Sequence, residues 1–369
     1  MTTKVPFFNY PHIFESEKEG LLDVIKDVGG RGAFIMQKDL ELFEQELVDY
    51  TGSKYAVGVA NATDGLQMAL MAGGIGSGDE VIISSHTMIA TASAVHFSGA
   101  VPVPVEAGYD HMMSPESIEK AITPKTKVIL PTQLNGRTCN MDAIIDVAKR
   151  HGLQIFEDAA QALGSKFKGK CAGTFGVGAC ISFYPAKVLG CLGDAGAVLT
   201  NDENIYHKLI RLRDHGRGPD GEITMWGFNS RLDNLQAAIL SYYFKKYQQV
   251  VNRRREIAGM YQEQLGGLSQ LVLPPSPLDN PDHFDVYQNY EIEAERRDEL
   301  KAYLTEKGVG TLVQWGGTAV HQFKALGFQQ HLPQTDRLFK RMLMIPMNMS
   351  LTNDQVIFVC DTIKKFYCD

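Results

Sequence analysis

Between residues 55 and 201, short β-branched runs alternate with stretches in which apolar residues return every three or four positions. The runs YAVGVA (55–60), EVIIS (80–84), VPVPV (101–105), KVILPT (127–132), LQIFE (153–157), CISFY (180–184) and GAVLT (196–200) read as strands. Between them, 64–72, 89–98, 115–121 and 141–151 read as helices. Such alternation builds a mostly parallel sheet covered by helices, so the pattern predicts an α/β fold on seven strands. After RLRDHGRG (211–218) the spacing predicts one long amphipathic helix over 232–265, carrying RRRE (253–256) and linking two units. The proline-rich VLPPSPLDNPDH (272–283) then opens a smaller α+β unit containing VYQNYEIEA, a helix over 297–307, GTLVQW and a last helix over 353–366. The expected division is a large domain with an N-terminal arm over 1–245 and a small C-terminal domain over 246–369. A chain of 369 residues is long enough for both.

Composition narrows the function. Apolar residues make up 44% and charged residues 21%, the balance of a globular chain. A net charge of -7 lacks the surplus of Lys and Arg that phosphate-backbone binding uses, so no nucleic-acid partner is expected. Cysteines at 139, 171, 180, 191, 360 and 368 form no C-x-x-C pair, and the histidines show no ligand spacing; reduced thiols and no metal are expected. The first twenty residues lack the charged flank and apolar run of a signal peptide, and no apolar stretch reaches membrane-spanning length, so the expectation is a cytoplasmic protein without a membrane partner.

In doubly wound sheets ligands bind beyond the carboxyl ends of the strands. Three such ends carry chemistry. In VANATDGLQMAL (59–70) a strand runs into a helix start at Ala62, Thr63 and Asp64, where backbone N–H groups and a hydroxyl suit a phosphate; an ordinary N-cap by Thr63 or Asp64 is the competing reading. In IFEDAAQALG (155–164) Asp158 leaves a strand with Gln161 three positions on; a buried carboxylate could hold a protonated pyridine nitrogen and the amide a ring oxygen, and capping again competes. In ISFYPAKVLGCLGDAGAVLT (181–200) Lys187 sits among apolar residues, where burial disfavours the ammonium form and frees an amine for Schiff-base chemistry. The run GGIGSGDE (73–80) follows a helix and precedes a strand, the reverse of a dinucleotide site, and neither G-x-S-x-G nor a Walker A sequence is present.

A phosphate cradle, a pyridinium partner and an amine thus arrive in order on successive strand ends. With ANATDGLQMAL, GDEVIISSHTMIATASAV, AITPKTKVILPT, EDAAQALGSKFKGK, SFYPAKVLGCLGDAGAVLTND and GFNSRLDNLQAAIL, the chain resembles the DegT/DnrJ/EryC1/StrS sugar aminotransferases of fold-type I over nearly its whole length. The resemblance implies pyridoxal 5'-phosphate as cofactor, with pyridoxamine 5'-phosphate as intermediate. It implies Lys187 as the Schiff-base lysine, Asp158 at the pyridine nitrogen, Gln161 near the ring oxygen, and Ala62, Thr63 and Ser182 at the phosphate. It also implies a homodimer in which Asn229 reaches the phosphate of the neighbouring site. The expected substrates are L-glutamate and a nucleotide-linked keto sugar in amino-sugar or surface-polysaccharide synthesis. GDAGA and NSRLDNLQAAI resemble members aminating C3 more than those aminating C4. Three departures stand out. Met88 occupies the place of a ring-stacking aromatic, with His86 nearby as a further candidate contact; Gln314 and Trp315 replace a His-Tyr pair. Arg231, beside Asn229, and Arg31 and Arg217 are the candidate cations for a nucleotide diphosphate, with structural ion pairs as the competing reading. Two other readings remain: a dehydratase on the same scaffold, whose relatives carry His at the lysine position, and a non-catalytic sugar-binding or regulatory protein.

Overall fold

The computed structural model describes residues 4–368. Its centre is a sheet of β1 (Tyr55–Val59), β2 (Glu80–Ser84), β3 (Val101–Val105), β4 (Thr126–Leu130) and β5 (Gln154–Asp158), completed after the two-residue strands β6 (Lys166–Phe167) and β7 (Lys170–Cys171) by β8 (Gly178–Ser182) and β9 (Gly196–Thr200). The spatial order is β1-β9-β8-β5-β4-β2-β3, and β9 runs antiparallel to both of its neighbours while the other pairings are parallel. All seven strands lie where the β-branched runs predict them.

Helices α3 (Ala62–Ala72), α4 (Ile89–Phe97), α5 (Pro115–Ala121), α6 (Met141–His151) and α7 (Glu203–Leu212) follow α1 (Tyr10–Arg31) and α2 (Lys38–Thr51) along the chain. Leu66, Leu70, Val95 and Leu209 bury one sheet face together with Val57, Val81 and Val128. Leu40, Phe43 and Leu47 of α2 close another core with Ile181, Phe183 and Leu199. Strands buried on both faces explain why these runs are almost continuously apolar.

The long helix expected over 232–265 is two helices, α8 (Asn234–Phe244) and α9 (Tyr247–Leu265). Lys246, at φ -106° and ψ 3°, breaks the helix and lets the Tyr247 hydroxyl reach the Leu163 carbonyl at 2.7 Å. The change of core comes further on, within α9. Ala237, Leu240, Tyr247 and Val251 pack in the core beneath β8 and β9, whereas Ile257, Ala258, Tyr261 and Leu265 pack in a second, C-terminal core. That core surrounds the three-stranded sheet of β10 (Leu271–Val272), β12 (Tyr290–Ala294) and β13 (Met342–Ile345); β11 (His283–Phe284) pairs instead with β6. Helices α10 (Arg297–Glu306), α11 (Pro333–Arg341) and α12 (Asn353–Cys368) accompany it. The N-terminal segment departs from the expected arm of the large domain: Val5 bridges to Val309 and belongs to the C-terminal core, so the chain enters through the smaller unit before α1 packs on α8.

Candidate active site

A cavity of about 480 Å³ opens at the carboxyl ends of the strands, and its wall includes Thr63, Met88, Asp158, Gln161, Ser182 and Lys187. At one end α3 points its N-terminus inward. Asn61 is its N-cap, accepting from Asp64 N–H at 2.9 Å, so capping is not the task of Thr63 or Asp64. Asp64 accepts instead from Ser230 Oγ at 2.7 Å. Ala62 and Thr63, in the first turn, face the cavity with Ser182 at the end of β8. Gly196 passes directly beneath this turn: a Cβ there would lie 2.7 Å from the Asn61 carbonyl carbon and 2.8 Å from Ala62 N. Free N–H groups and the helix dipole make this end an anion site.

At the other end stands Asp158, the last residue of β5 and 5% exposed. Its Oδ2 accepts from Thr91 Oγ1 at 2.6 Å and its Oδ1 from Ala160 N–H at 3.1 Å. Burial pushes its pKa up, while Thr91, the Ala160 N–H and the nearby Lys187 work to keep it ionised. Lys187 lies in a turn whose N–H donates to Tyr184 O at 2.8 Å. Gly190 is required close by, since a Cβ there would meet the Tyr184 and Pro185 carbonyls at 2.8 Å. Desolvation lowers the Lys187 ammonium pKa to about 8, partly offset by Asp158. A substantial fraction is therefore a free amine at neutral to mildly alkaline pH.

Gln161 spends its Oε1 on Asn135 N–H at 2.9 Å, which leaves Nε2 as its donor end. Met88, 51% exposed, lines the wall between the two ends. His86 does not. Its side chain is buried at the boundary with the C-terminal unit, Nδ1 3.0 Å from the His111 carbonyl and Nε2 3.4 Å from Glu291, with Trp315 and Phe339 edge-on at 5.5 and 5.3 Å. The extended chain after β2 sends Thr87 and Met88 to the cavity and His86 away from it, so His86 is corrected from a ligand contact to an interface residue.

The three candidate cations are absent from the cavity wall and already paired. Arg231 meets Asp214 at 2.8 Å, Arg217 approaches the same carboxylate at 3.7 Å, and Arg31 binds Asp27 and Asp39. Asn229 is exposed on a segment bridged to Asp214, away from this chain's own cavity.

Two sets of residues escaped the sequence reading. Gln288, 5% exposed, clasps the lysine turn: Nε2 donates to Ala186 O at 2.7 Å and Oε1 accepts from Val188 N–H at 2.8 Å. Thr87, Thr91 and Thr132 gather around Asp158. The signal for Thr87 and Thr91 was their i, i+4 spacing at an otherwise apolar helix start; nothing local marks Gln288.

The family model of the DegT/DnrJ/EryC1/StrS aminotransferase family matches residues 15–364. The chain belongs to that family. Over 98% of each chain it is 37% identical to a pleiotropic regulatory protein of Geobacillus stearothermophilus. It is 38% identical to the dTDP-3-amino-3,4,6-trideoxy-alpha-D-glucose transaminase of Streptomyces venezuelae, over 99% of this chain and 97% of that one. The crystal structure of S. venezuelae DesV in complex with a ketimine intermediate superposes with a TM-score of 0.94 at 38% identity, covering 99% of both chains. NtdA from Bacillus subtilis, solved with bound cofactor PMP, gives 0.92 at 30% identity, covering 100% of this chain and 86% of that one.

The family's cofactor fits the site on this chain's own terms. The α3 N-terminus offers N–H groups to a phosphate, buried Asp158 offers a carboxylate to a ring nitrogen, and Lys187 offers an amine of lowered pKa. A dehydratase bearing His at the lysine position is ruled out by Lys187 itself. Among the described residues, no helix is long and apolar enough to cross a membrane, and no group of three or more His, Cys, Asp or Glu side chains could hold a metal ion.

Proposed function

We propose that the protein transfers an amino group from L-glutamate to C3 of a nucleotide-linked keto sugar, using pyridoxal 5'-phosphate. The observation that carries the reading is the pairing, within one cavity, of a lysine whose pKa is lowered to about 8 with a buried carboxylate fixed by two donors. A sugar-binding protein without catalysis needs neither. The cofactor, when bound, supplies a carbonyl carbon that exchanges amines and a ring that accepts electrons.

The chain's residues do the rest. With the cofactor bound, Ala62 and Thr63 N–H and the Ser182 hydroxyl would hold its phosphate. Asp158 would hold the proton on its ring nitrogen, Gln161 Nε2 would donate to the ring oxygen, and the Met88 thioether would pack against the ring. Lys187 Nζ would take the proton from the donor's α-carbon and give it back, as base and then acid. A second cavity of about 310 Å³ adjoins the first through Phe8, Ala186, Lys187, Gln288 and Asn289, and gives room for the nucleotide beyond the sugar. Asn229 completes the phosphate site of a second protomer in a homodimer, which accounts for its exposure here.

Support for C3 comes from the S. venezuelae relative, whose name specifies a 3-amino sugar, and from GDAGA and NSRLDNLQAAI. The pyridoxamine form should be offered UDP-, dTDP- and GDP-linked 3-keto and 4-keto sugars; conversion of 4-keto compounds alone overturns the regiochemistry. Lys187→Ala should abolish turnover yet bind pyridoxamine phosphate, and near-normal transamination by it overturns the whole reading.

A further inference from the structure

Asp158 terminates a chain of three buried hydroxyls. Thr132 Oγ1 donates to Thr87 Oγ1 at 2.9 Å, Thr87 and Thr91 Oγ1 lie 2.8 Å apart, and Thr91 Oγ1 donates to Asp158 Oδ2 at 2.6 Å. The three threonines are 5%, 1% and 0% exposed, so water does not compete for these bonds. They come from different places: Thr132 follows β4, Thr87 follows β2 and Thr91 sits in the first turn of α4.

A hydroxyl has one proton to give. Thr132 spends its proton on Thr87, so the Thr87 proton goes to Thr91 and the Thr91 proton to Asp158. Every link closes only if Oδ2 is a pure acceptor. A proton on Oδ2 would turn Thr91 toward Thr87, which would then receive two protons and hold its own without an acceptor. That arrangement strands a buried donor, which is costly.

We propose that Thr87, Thr91 and Thr132 are positioning residues for the amino transfer, forming a one-way hydroxyl chain that holds Asp158 ionised and oriented toward the cofactor's ring nitrogen. The inference rests on the cofactor reading above. Because the chain is directional, its effect on the ring nitrogen is graded, largest at Thr91 and smallest at Thr132.

The test compares two ligands on the full-length apoprotein: pyridoxamine 5'-phosphate, and its analogue with carbon in place of the ring nitrogen. Wild-type protein should prefer the former. Thr91→Val should weaken pyridoxamine phosphate by roughly tenfold or more, the scale of a hydrogen bond to a charged group, and the carbon analogue by less than about twofold. Thr91→Ser should restore binding to within about threefold, and Thr132→Val should cost only a few-fold, again for the nitrogen-bearing ligand alone. Equal weakening of both ligands by Thr91→Val, or none, overturns the chain, since a merely structural role would not distinguish a nitrogen from a carbon. Wild-type protein that binds neither ligand overturns the cofactor reading and the chain with it; wild-type protein that binds both equally, or a wild-type preference that Thr91→Val leaves intact, overturns the chain alone.

Discussion

The lowered pKa of Lys187 can be read directly from the apoprotein. Removing the ammonium from water takes its pKa from 10.5 to about 8, so half the molecules carry a free amine at pH 8, against less than about 1% for a solvated lysine. The reactivity of Lys187 toward an amine-selective reagent, followed by peptide mass spectrometry, should therefore rise with a midpoint near pH 8, well below the roughly 10.5 of a solvated lysine. The attraction of Asp158 opposes the shift. Asp158→Asn removes it, so the midpoint in that variant should fall below that of the wild type. Stability is linked with the same sign. A folded-state value below the unfolded one means that the unfolded chain binds more protons, so the Lys187 contribution is complete above about pH 10.5 and is lost as pH falls through about 8. A Lys187 midpoint above about 10, or one that rises in Asp158→Asn, would refute desolvation as the cause.

Three further outcomes are expected. Gly196→Ala forces a Cβ to 2.7 Å from the Asn61 carbonyl carbon and should displace the α3 N-terminus, weakening the affinity for pyridoxamine phosphate roughly tenfold, measured by titration; unchanged affinity would mean that the phosphate sits elsewhere. Gln288→Ala leaves Ala186 O and Val188 N–H without their clasp and should lower unfolding free energy by about 1–3 kcal/mol in a denaturant titration, with slower turnover because the lysine turn loosens. At the boundary between the two units, burial alone would lower the His111 pKa, but Glu291 and Glu293 hydrogen-bond both its nitrogens and take it up to about 9. A raised folded-state value means that this stabilisation is full below about pH 6.5 and lost as pH rises through 9, so the melting advantage of wild type over His111→Gln should shrink between pH 6.5 and 9.5; an advantage independent of pH counts against it.

Strand positions were legible because the runs, apart from the outer half of edge strand β3, are buried almost throughout, and a local apolar run therefore carries the signal. The helix break at Lys246 was not, because SYYFKKYQQV contains neither Gly nor Pro and keeps its apolar spacing across the break. The break leaves Tyr247 and Val251 in the core that α8 packs in, and the exchange of one core for another comes later, between Val251 and Ile257 of α9. The first fifty residues held signals left unused: Asn9 as N-cap with Pro11 in the first turn, and Leu40, Phe43 and Leu47 on one face of α2. That Lys187, Asp158, Thr63 and Ser182 share one cavity wall was legible because each ends or follows a strand whose end could be located. For His86 a ligand contact and a core or loop role both stood open in the sequence, because the direction of a side chain beyond a strand end depends on the loop's path. Arg31, Arg217 and Arg231 offered charge without a clue that Asp27, Asp39 and Asp214 already answer it.

The acid and the base of this site stand in one desolvated cavity, and burial presses both toward their neutral forms. They differ in what the chain places beside them. Asp158 receives a hydroxyl on one oxygen and a backbone N–H on the other, and a proton on the oxygen that Thr91 meets would strand a donor. Lys187 has the pull of the carboxylate but no hydrogen bond to hold its ammonium, so desolvation prevails. Amino transfer needs that asymmetry: a carboxylate that stays charged to keep the ring nitrogen protonated, and an amine that stays uncharged to attack and to carry a proton. An exposed lysine would remain an ammonium at neutral pH, and an Asp158 without its donors would drift toward the acid. Apolar burial alone therefore cannot produce the pair; the hydroxyls and the N–H around Asp158 separate the fates of two groups that the same cavity would otherwise neutralise together.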